Sequence, residues 1–454
     1  MQPSAESVEH AATPVPGGKL GGRFAGRLLQ SRALGTLGRR RMAVIVAAAL
    51  PFGLLVSATS VVLPLWATQE LGFSSSQWGF LNSSRFVGVL LGVLLLGALS
   101  DRFGQRRLGA VSLWLVGVAT LAMGLFGKPA AWAGILLLGG AMSNAFVNLN
   151  TLTQAISDRR QGAANSIYRS VLSATAVVAP FLATALAGWW GGYSAVLLVC
   201  TGLMVVSGVV LWQYPGEEKA LPLRPVRDEL RAMVQTYAAP LANKPLMAYV
   251  HLSLLAFSFQ IGVLSFGAIR LVDELGWADT AVGAAASLGA VAGLAVNVSA
   301  AFVLDRVRLP LYVGVGSSLA SVCILTMAAT DSGWVTAGAF VAFAPAFAAG
   351  GAPMGMWLGR AARPAQVGGC TVAGAFAVHK LITAVYSGLV MLGLGLLEPA
   401  VGITGLFWLM GGVSLVLSLL MMRLSDPPRP HPGPHAKRGS VQREALCKVR
   451  PCAE

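Results

Sequence analysis

The chain has 454 residues, of which 55% are hydrophobic and only 11% charged, and its mean hydropathy is +0.69. That is too apolar for a soluble globular domain, which excludes the classes built on a water-surrounded core. The formal charge of +15 would suit a nucleic-acid partner, but its distribution along the chain, taken below, leaves that reading little to explain.

Residues 1–41 are basic and contain Gly and Pro, and are read as a disordered tail. They do not form a clean secretory leader, because the apolar stretch that follows runs for about 25 residues. Twelve apolar stretches then succeed one another, near residues 42–66, 76–99, 108–127, 131–155, 164–187, 190–213, 245–272, 280–304, 310–330, 333–358, 368–397 and 400–422. A bilayer core takes roughly 20 apolar residues to cross as a helix, and backbone polar groups in lipid must be satisfied within the segment. The expected fold class is therefore an all-α membrane protein of twelve transmembrane helices. The 54 glycines fit this, since small residues let membrane helices approach closely. Residues 214–244 are the one long polar interior segment and divide a 42–213 bundle of six spans from a 245–424 bundle of six. Residues 425–454, with PPRPHPGPH, read as a second disordered tail. Cys200, Cys323 and Cys370 fall singly in apolar stretches, and Cys447 and Cys452 fall in the last tail, where they are expected to stay reduced. No metal or disulfide spacing is seen, and no cofactor is expected.

The cations decide the topology. With the first tail inside the cell, 28 of the 33 Lys and Arg fall in inside segments and one, Lys128, falls outside. Arg85, Arg169, Arg270 and Lys380 lie within helices. Such an imbalance follows the positive-inside rule and places both termini in the cytoplasm of a cell (plasma or inner) membrane. The basic excess is a topology signal, so no nucleic-acid partner is expected.

The two halves repeat a pattern. Glu70-Leu71-Gly72 precedes the second span and Glu274-Leu275-Gly276 the eighth; Asp101-Arg102 ends the second and Asp305-Arg306 the eighth; both pairs are 204 residues apart. Gly88-x-x-x-Gly92 and Gly289-x-x-x-Gly293 put close-packing surfaces at nearly the same height in each copy. Parallel six-helix repeats around an axis along the membrane normal are a transporter architecture, with the substrate site near the midplane between halves.

The stretch Gly97-x-Leu99-Ser100-Asp101-Arg102-x-Gly104-Gln105-Arg106 resembles the loop 2–3 signature of the major facilitator superfamily. With the twelve spans, the central loop and the repeat, the resemblance covers about residues 42–424. Arg159-Arg160-Gln161-Gly162 resembles that family's loop 4–5. The family usually has a basic residue where this chain has Gln105, and the second copy keeps Asp305, Arg306 and Arg308 without the glycines. The resemblance implies alternating access, with the 97–106 motif as a cytoplasmic latch. In such a latch Gly97 and Gly104 permit a tight turn and close helix contact. Asp101 sits near a helix N-terminus of the other half, and Arg102 and Arg106 pair with acids or lipid phosphate. The alternative reading is a solvated, positive-inside turn. The stretch Thr175-Ala176-Val177-Val178-Ala179-Pro180 keeps only the proline of the Gly-rich motif typical of proton-driven drug exporters, which argues against the export subclass.

Charged groups inside a membrane cost several kcal/mol and are functional candidates by default. None of the 18 Asp and Glu falls in the middle of a span. The cations differ: Arg85 lies well inside the second span, and His379 and Lys380 well inside the eleventh. The family resemblance implies that these two helices meet between the halves, so a cationic interior without carboxylates points to an anionic substrate. Snorkelling of Arg85, or a neutral or hydrogen-bonded Lys380, are the bland alternatives. His379 and Lys380 point about 100° apart, so the two do not face one spot. Arg270, with Asp273 and Glu274 at i+3 and i+4, reads as a surface ion pair, and Arg169 as support for the latch. Asn144, Asn148 and Thr151 share one face of the fourth span, which lines the cavity in the family, and so orient a ligand or bond neighbouring helices. Pro345, Gly350-Gly351 and Pro353 mark a bend in the tenth span.

No catalytic array, phosphate loop or nucleotide signature supports an enzyme or an ATP-driven pump. The expected function is a secondary active transporter that moves a small molecule, an organic anion in the sharper form. The alternatives are a proton-coupled drug or metabolite efflux pump, and a non-transporting sensor or enzyme on the same scaffold. Protons, through His379 or the ligand, or a counter-ion are the candidate coupling partners; membrane lipids are the surroundings; a monomer is expected.

Overall fold

The structure, a computed structural model, describes residues 36–96, 103–154, 156, 161–215, 244–303, 307–351 and 372–424. Within them lie α1 (Thr36–Leu65), α2 (Ser75–Leu91), α3 (Gln105–Phe126), α4 (Lys128–Gln154), α5 (Gln161–Trp190) and α6 (Tyr193–Trp212). A second set follows: α7 (Lys244–Ile269), α8 (Asp279–Val303), α9 (Leu309–Ala328) and α10 (Gly333–Gly351). The last helical run, Val372–Met422, is broken at Gly402, whose φ of 66° and ψ of 174° are not helical. Residues 372–401 are therefore α11 and residues 403–422 are α12. The architecture is all-helical, as the hydropathy predicts, and the short connections alternate the helix directions. The end where α1 begins and α12 stops is called proximal below, and the opposite end distal. The tail 1–35, the central stretch 216–243 and the tail 425–454 lie outside the described residues.

Helices α1–α6 pack among themselves, as do α7–α12, and the halves meet chiefly through α2 against α11 and α5 against α8. Glycine sets the closest approaches. A β-carbon on Gly88 or Gly92 of α2 would overlap the backbone of α4 at Leu136 and Gly140, and one on Gly289 would crowd Val341 and Ala344 of α10. The two GxxxG pairs therefore pack equivalent helix pairs, α2 on α4 and α8 on α10.

The repeat extends to an irregularity that spacing alone does not predict. Both α1 and α7 end in a wide, π-helical turn, Trp66–Glu70 and Arg270–Glu274, in the same 204-residue register. In one copy Leu71 N–H donates to the Trp66 carbonyl (3.1 Å), and in the other Leu275 N–H donates to Arg270 (3.0 Å). Gly72 (φ 63°) and Gly276 (φ 68°) then turn the chain through left-handed backbone that a side chain would strain. Past the first turn, Ser74 and Gln77 form a reciprocal cap that starts α2.

The wide turn corrects the reading of Arg270 as a surface pair. Arg270 is 1% exposed. It keeps Glu274 at 2.8 Å but also donates to the Thr330 carbonyl (3.1 Å) and to the Thr404 hydroxyl of α12, with Asp331 at 3.8 Å. The Phe407 ring lies under the guanidinium at 5.8 Å. Arg270 therefore ties α7, the α9–α10 connection and α12 together at the distal end. At the register-equivalent position Trp66 is fully buried and donates to the Ser194 hydroxyl at the start of α6.

Of the latch residues, Gly97, Asp101, Arg102, Arg160, Asp305 and Arg306 lie outside the described residues, and Gly162 lies in the first turn of α5. Gly104 precedes α3 with φ 86°, as a tight turn requires. Arg106 was expected to pair with acids or lipid phosphate. It donates to the Tyr214 carbonyl at 2.9 Å, so one of its contacts holds the C-terminal end of α6 in its own half. Arg41 binds the next carbonyl, Pro215, at 2.9 Å.

Candidate cargo site between the two halves

Three faces of α2 are assigned by its contacts. Gly88 and Gly92 meet α4, Gly79 meets Gly395 of α11, and Trp78 and Asn82 reach Ser265 of α7 at 3.1 and 2.8 Å. At about 100° per residue, Arg85 falls between the α4 and α7 faces, away from the exposed Val87 and Leu91. Its guanidinium lies 3.8 Å from the Met142 sulfur of α4, and the side chain is half-buried. A snorkelling arginine would point along its own helix toward an end; this one points inward.

Lys380 arrives on the same helix from the other half. Its ammonium lies 5.2 Å from the centroid of Phe146, one turn beyond Met142 on α4. Arg85 and Lys380 thus converge on one ridge, Met142 and Phe146. Among the described residues the ion pairs belong to Arg270, and neither Arg85 nor Lys380 has a carboxylate partner.

The helix 4 amides face elsewhere. Asn144 and Asn148 are 2% and 1% exposed. Asn144 donates to the Ser112 hydroxyl of α3 (2.6 Å), Asn148 donates to the Asn144 carbonyl (2.9 Å), and a β-carbon on Gly109 of α3 would touch Asn148. This corrects their placement as cavity-facing amides: two residues separate Asn144 from Phe146, which is about 200° of rotation, so the amide face and the Met142–Phe146 ridge are nearly opposite. Thr151, on the amide side, bonds the Val147 carbonyl of its own helix at 2.8 Å. His379 is the neighbour of Lys380 on α11, about 100° round the helix. It shares a face of α11 with Tyr386, seven residues on, and Tyr386 pairs with His251 of α7 at 2.6 Å.

Sequence reasoning missed Met142, Phe146 and Tyr168. The Tyr168 ring of α5 packs on Phe146 with centroids 6.3 Å apart. The i, i+4 spacing of Met142 and Phe146 was visible, but an apolar pair in an apolar helix carries no signal of its own.

Among the described residues, the hydrogen bonds between halves lie toward the distal end. Tyr193 O–H of α6 and the Gln69 amide (3.3 Å) both donate to Asp279 at the start of α8. Ser76 donates to the Gly395 carbonyl, and Phe181 N–H to the Ser287 hydroxyl at 3.2 Å. A β-carbon on Gly79 would lie 2.7 Å from the Gly395 α-carbon, which shows how tightly α2 and α11 are apposed there. Thr184, Gly188, Tyr193 and Asp279 line a crevice at this seam, remote from the cations.

A match to the family model described as Major Facilitator Superfamily runs over residues 45–387. The chain belongs to that superfamily. Membership makes it a membrane transporter rather than an enzyme. Among curated proteins it is similar to a D-xylose transporter of Levilactobacillus brevis, 25% identical over 158 residues, which is 33% of this chain and 34% of that protein. The matched stretch thus spans about a third of that relative. Among solved structures it resembles the nucleoside transporter NupG, with a TM-score of 0.68, 15% identity, and coverage of 86% of this superfamily member and 100% of that chain. A D-xylose–proton symporter gives 0.63, 16%, 86% and 98%. At such identities the likeness establishes the shared fold.

Proposed function

We propose that this transporter moves a small organic anion across the cell membrane by alternating access, as a secondary carrier with both termini in the cytoplasm. One observation carries the reading: Arg85 from one half and Lys380 from the other meet the same ridge of α4, with no carboxylate partner among the described residues. Two half-buried cations without counter-charge are costly within a membrane, and an anionic cargo supplies that charge. Because the cations sit in different halves, a cargo that binds both also pulls the halves together around itself. The distal seam is closed, so the cargo reaches this site from the proximal side, which the charge distribution assigns to the cytoplasm. His379 lies off the cargo face, so it is not the group that contacts the cargo, and any coupling proton is better placed on the ligand itself.

A second reading, a neutral sugar or polyol carrier, draws on the similarity to a D-xylose transporter. Proteoliposomes holding only the purified protein separate the two. Labelled organic anions, organic cations and D-xylose are offered for uptake and efflux. Uptake of an anion that Arg85→Gln and Lys380→Gln each abolish supports the first reading. Transport confined to neutral or cationic solutes overturns it.

A further inference from the structure

The cargo ridge has a third basic neighbour. Tyr168 packs on Phe146, and the next residue of α5 is Arg169, whose side chain is exposed. Exposure on a membrane helix has two meanings, lipid or cavity, and helical geometry distinguishes them. Val178, 51% exposed, lies nine residues from Arg169, about half a turn away in angle, and marks the outer face of α5 together with Phe181 and Leu182. Pro180 lies eleven residues from Arg169, within about 20° of it in angle, and a β-carbon on Gly283 of α8 would contact the Pro180 carbonyl. Arg169 therefore sits on the face of α5 that meets the other half, below the point where α8 leaves it. Arg169 and Lys380 are near enough to feel each other's charge. The Tyr168 hydroxyl is buried, at 1% exposure for the residue, and has no hydrogen-bond partner among the described residues.

We propose that Arg169 completes a three-cation pocket with Arg85 and Lys380, and that this pocket takes an anion of two or more negative charges, a dicarboxylate or a phosphate monoester. The inference rests on the anionic reading above and sharpens it. A monoanion would leave two like charges of three unbalanced in a partly dehydrated space, whereas a dianion spans the cations of both halves. Lys380 is carried by one half, and Arg85 and Arg169 by the other, so the second negative charge gives the cargo a grip on each. The Tyr168 hydroxyl adds a donor beside the same ridge.

The test is ligand binding by the purified full-length protein, read as thermal stabilisation and by isothermal titration, with four probes: succinate, glycerol 3-phosphate, butyrate and D-xylose. At least one dianion should bind about tenfold or more tightly than butyrate, the margin expected for one further charge-assisted contact. Which dianion binds separates the carboxylate from the phosphate source. Arg169→Gln should remove that margin, bringing the dianion and butyrate to within a few-fold of each other, and Arg169→Lys should restore part of it. Arg169 is exposed, so the variant folds. If Arg169→Gln leaves the dianion-to-butyrate ratio unaltered, or if butyrate binds as well as both dianions, the three-cation pocket is wrong while the anionic cargo stands. Binding of D-xylose with no response to any anion overturns both.

Discussion

The Lys380 ammonium, carried by the second half of the protein, lies 5.2 Å from the ring of Phe146 in the first. This contact bridges the two halves and holds the ammonium on the ridge that Arg85 also meets. A cation over an aromatic face contributes about 0.5–2 kcal/mol, enough to orient the ammonium for an anion.

Removing the ring should therefore weaken cargo handling without unfolding the bundle. Phe146→Leu is expected to lower apparent cargo affinity by about 2- to 30-fold, the range that such an interaction spans. Lys380→Gln and Arg85→Gln are expected to reduce uptake by more than about tenfold, since each takes away a charge rather than an orienting surface. Initial uptake rates in proteoliposomes, at matched protein content, measure all three.

Arg270→Gln should act on stability instead. The buried guanidinium holds three distal segments, and its loss leaves the Thr330 carbonyl and Glu274 without their donor. A loss of about 2–3 kcal/mol is expected from hydrogen bonds to a charged group. The melting temperature of the purified protein in detergent should fall, while Arg169→Gln, at an exposed position, should leave it unchanged.

The distal seam can be locked. Asn82 of α2 and Ser265 of α7 meet at 2.8 Å across the halves. Asn82→Cys combined with Ser265→Cys should cross-link under oxidation and stop transport, and dithiothreitol should restore it. A cross-linked protein that still turns over would show that the distal end does not open during transport.

Gly79→Leu at the same seam should have the opposite effect. The added side chain would press on Gly395 and hold α2 and α11 apart. Cysteines placed near Asp279 should then react faster with a membrane-impermeant maleimide, and net transport should fall. Unchanged labelling with normal transport would count against a closed seam.

Reporter fusions check the membrane orientation. Fusions at residues 128 and 190 should read as external, and fusions at 105 and 230 as cytoplasmic. An external reading at 230 would contradict the two-half arrangement.

Much of the fold was legible in the sequence because membrane helices announce themselves by length and hydropathy, and because the Glu-Leu-Gly and Asp-Arg pairs stand at one fixed spacing. The glycine pairs Gly88–Gly92 and Gly289–Gly293 foretold close packing, and the wide turns were hidden because their residues carry no composition signal. The site was legible only in its charges. Arg85 and Lys380 stand out against an apolar background, but the direction of a side chain depends on which neighbour its face meets. That is why Asn144 and Asn148 read equally as ligand-facing or as bonded to neighbouring helices, and only their contacts with α3 and their own helix decide between the two. Arg270 misled for a related reason: its nearest acids are three and four residues away, while Thr330 and Thr404, which settle its burial, are 60 and 134 residues distant.

The paired wide turns at the distal ends of α1 and α7 give the two halves unequal responses to the medium that bathes them. One turn is anchored by the neutral Trp66 indole and by Glu70, whose carboxylate accepts from the Tyr193 and Ser194 N–H groups and the Ser194 hydroxyl. The other is anchored by Arg270 through Glu274 and through Asp331, which is fully exposed. Salt screens the water-exposed Asp331 contact, whereas the Glu70 anchor has no second charged side chain as its partner and depends less on ionic strength. Raising ionic strength on the distal side should therefore loosen the second half before the first, so the two repeat-related bundles need not give way together.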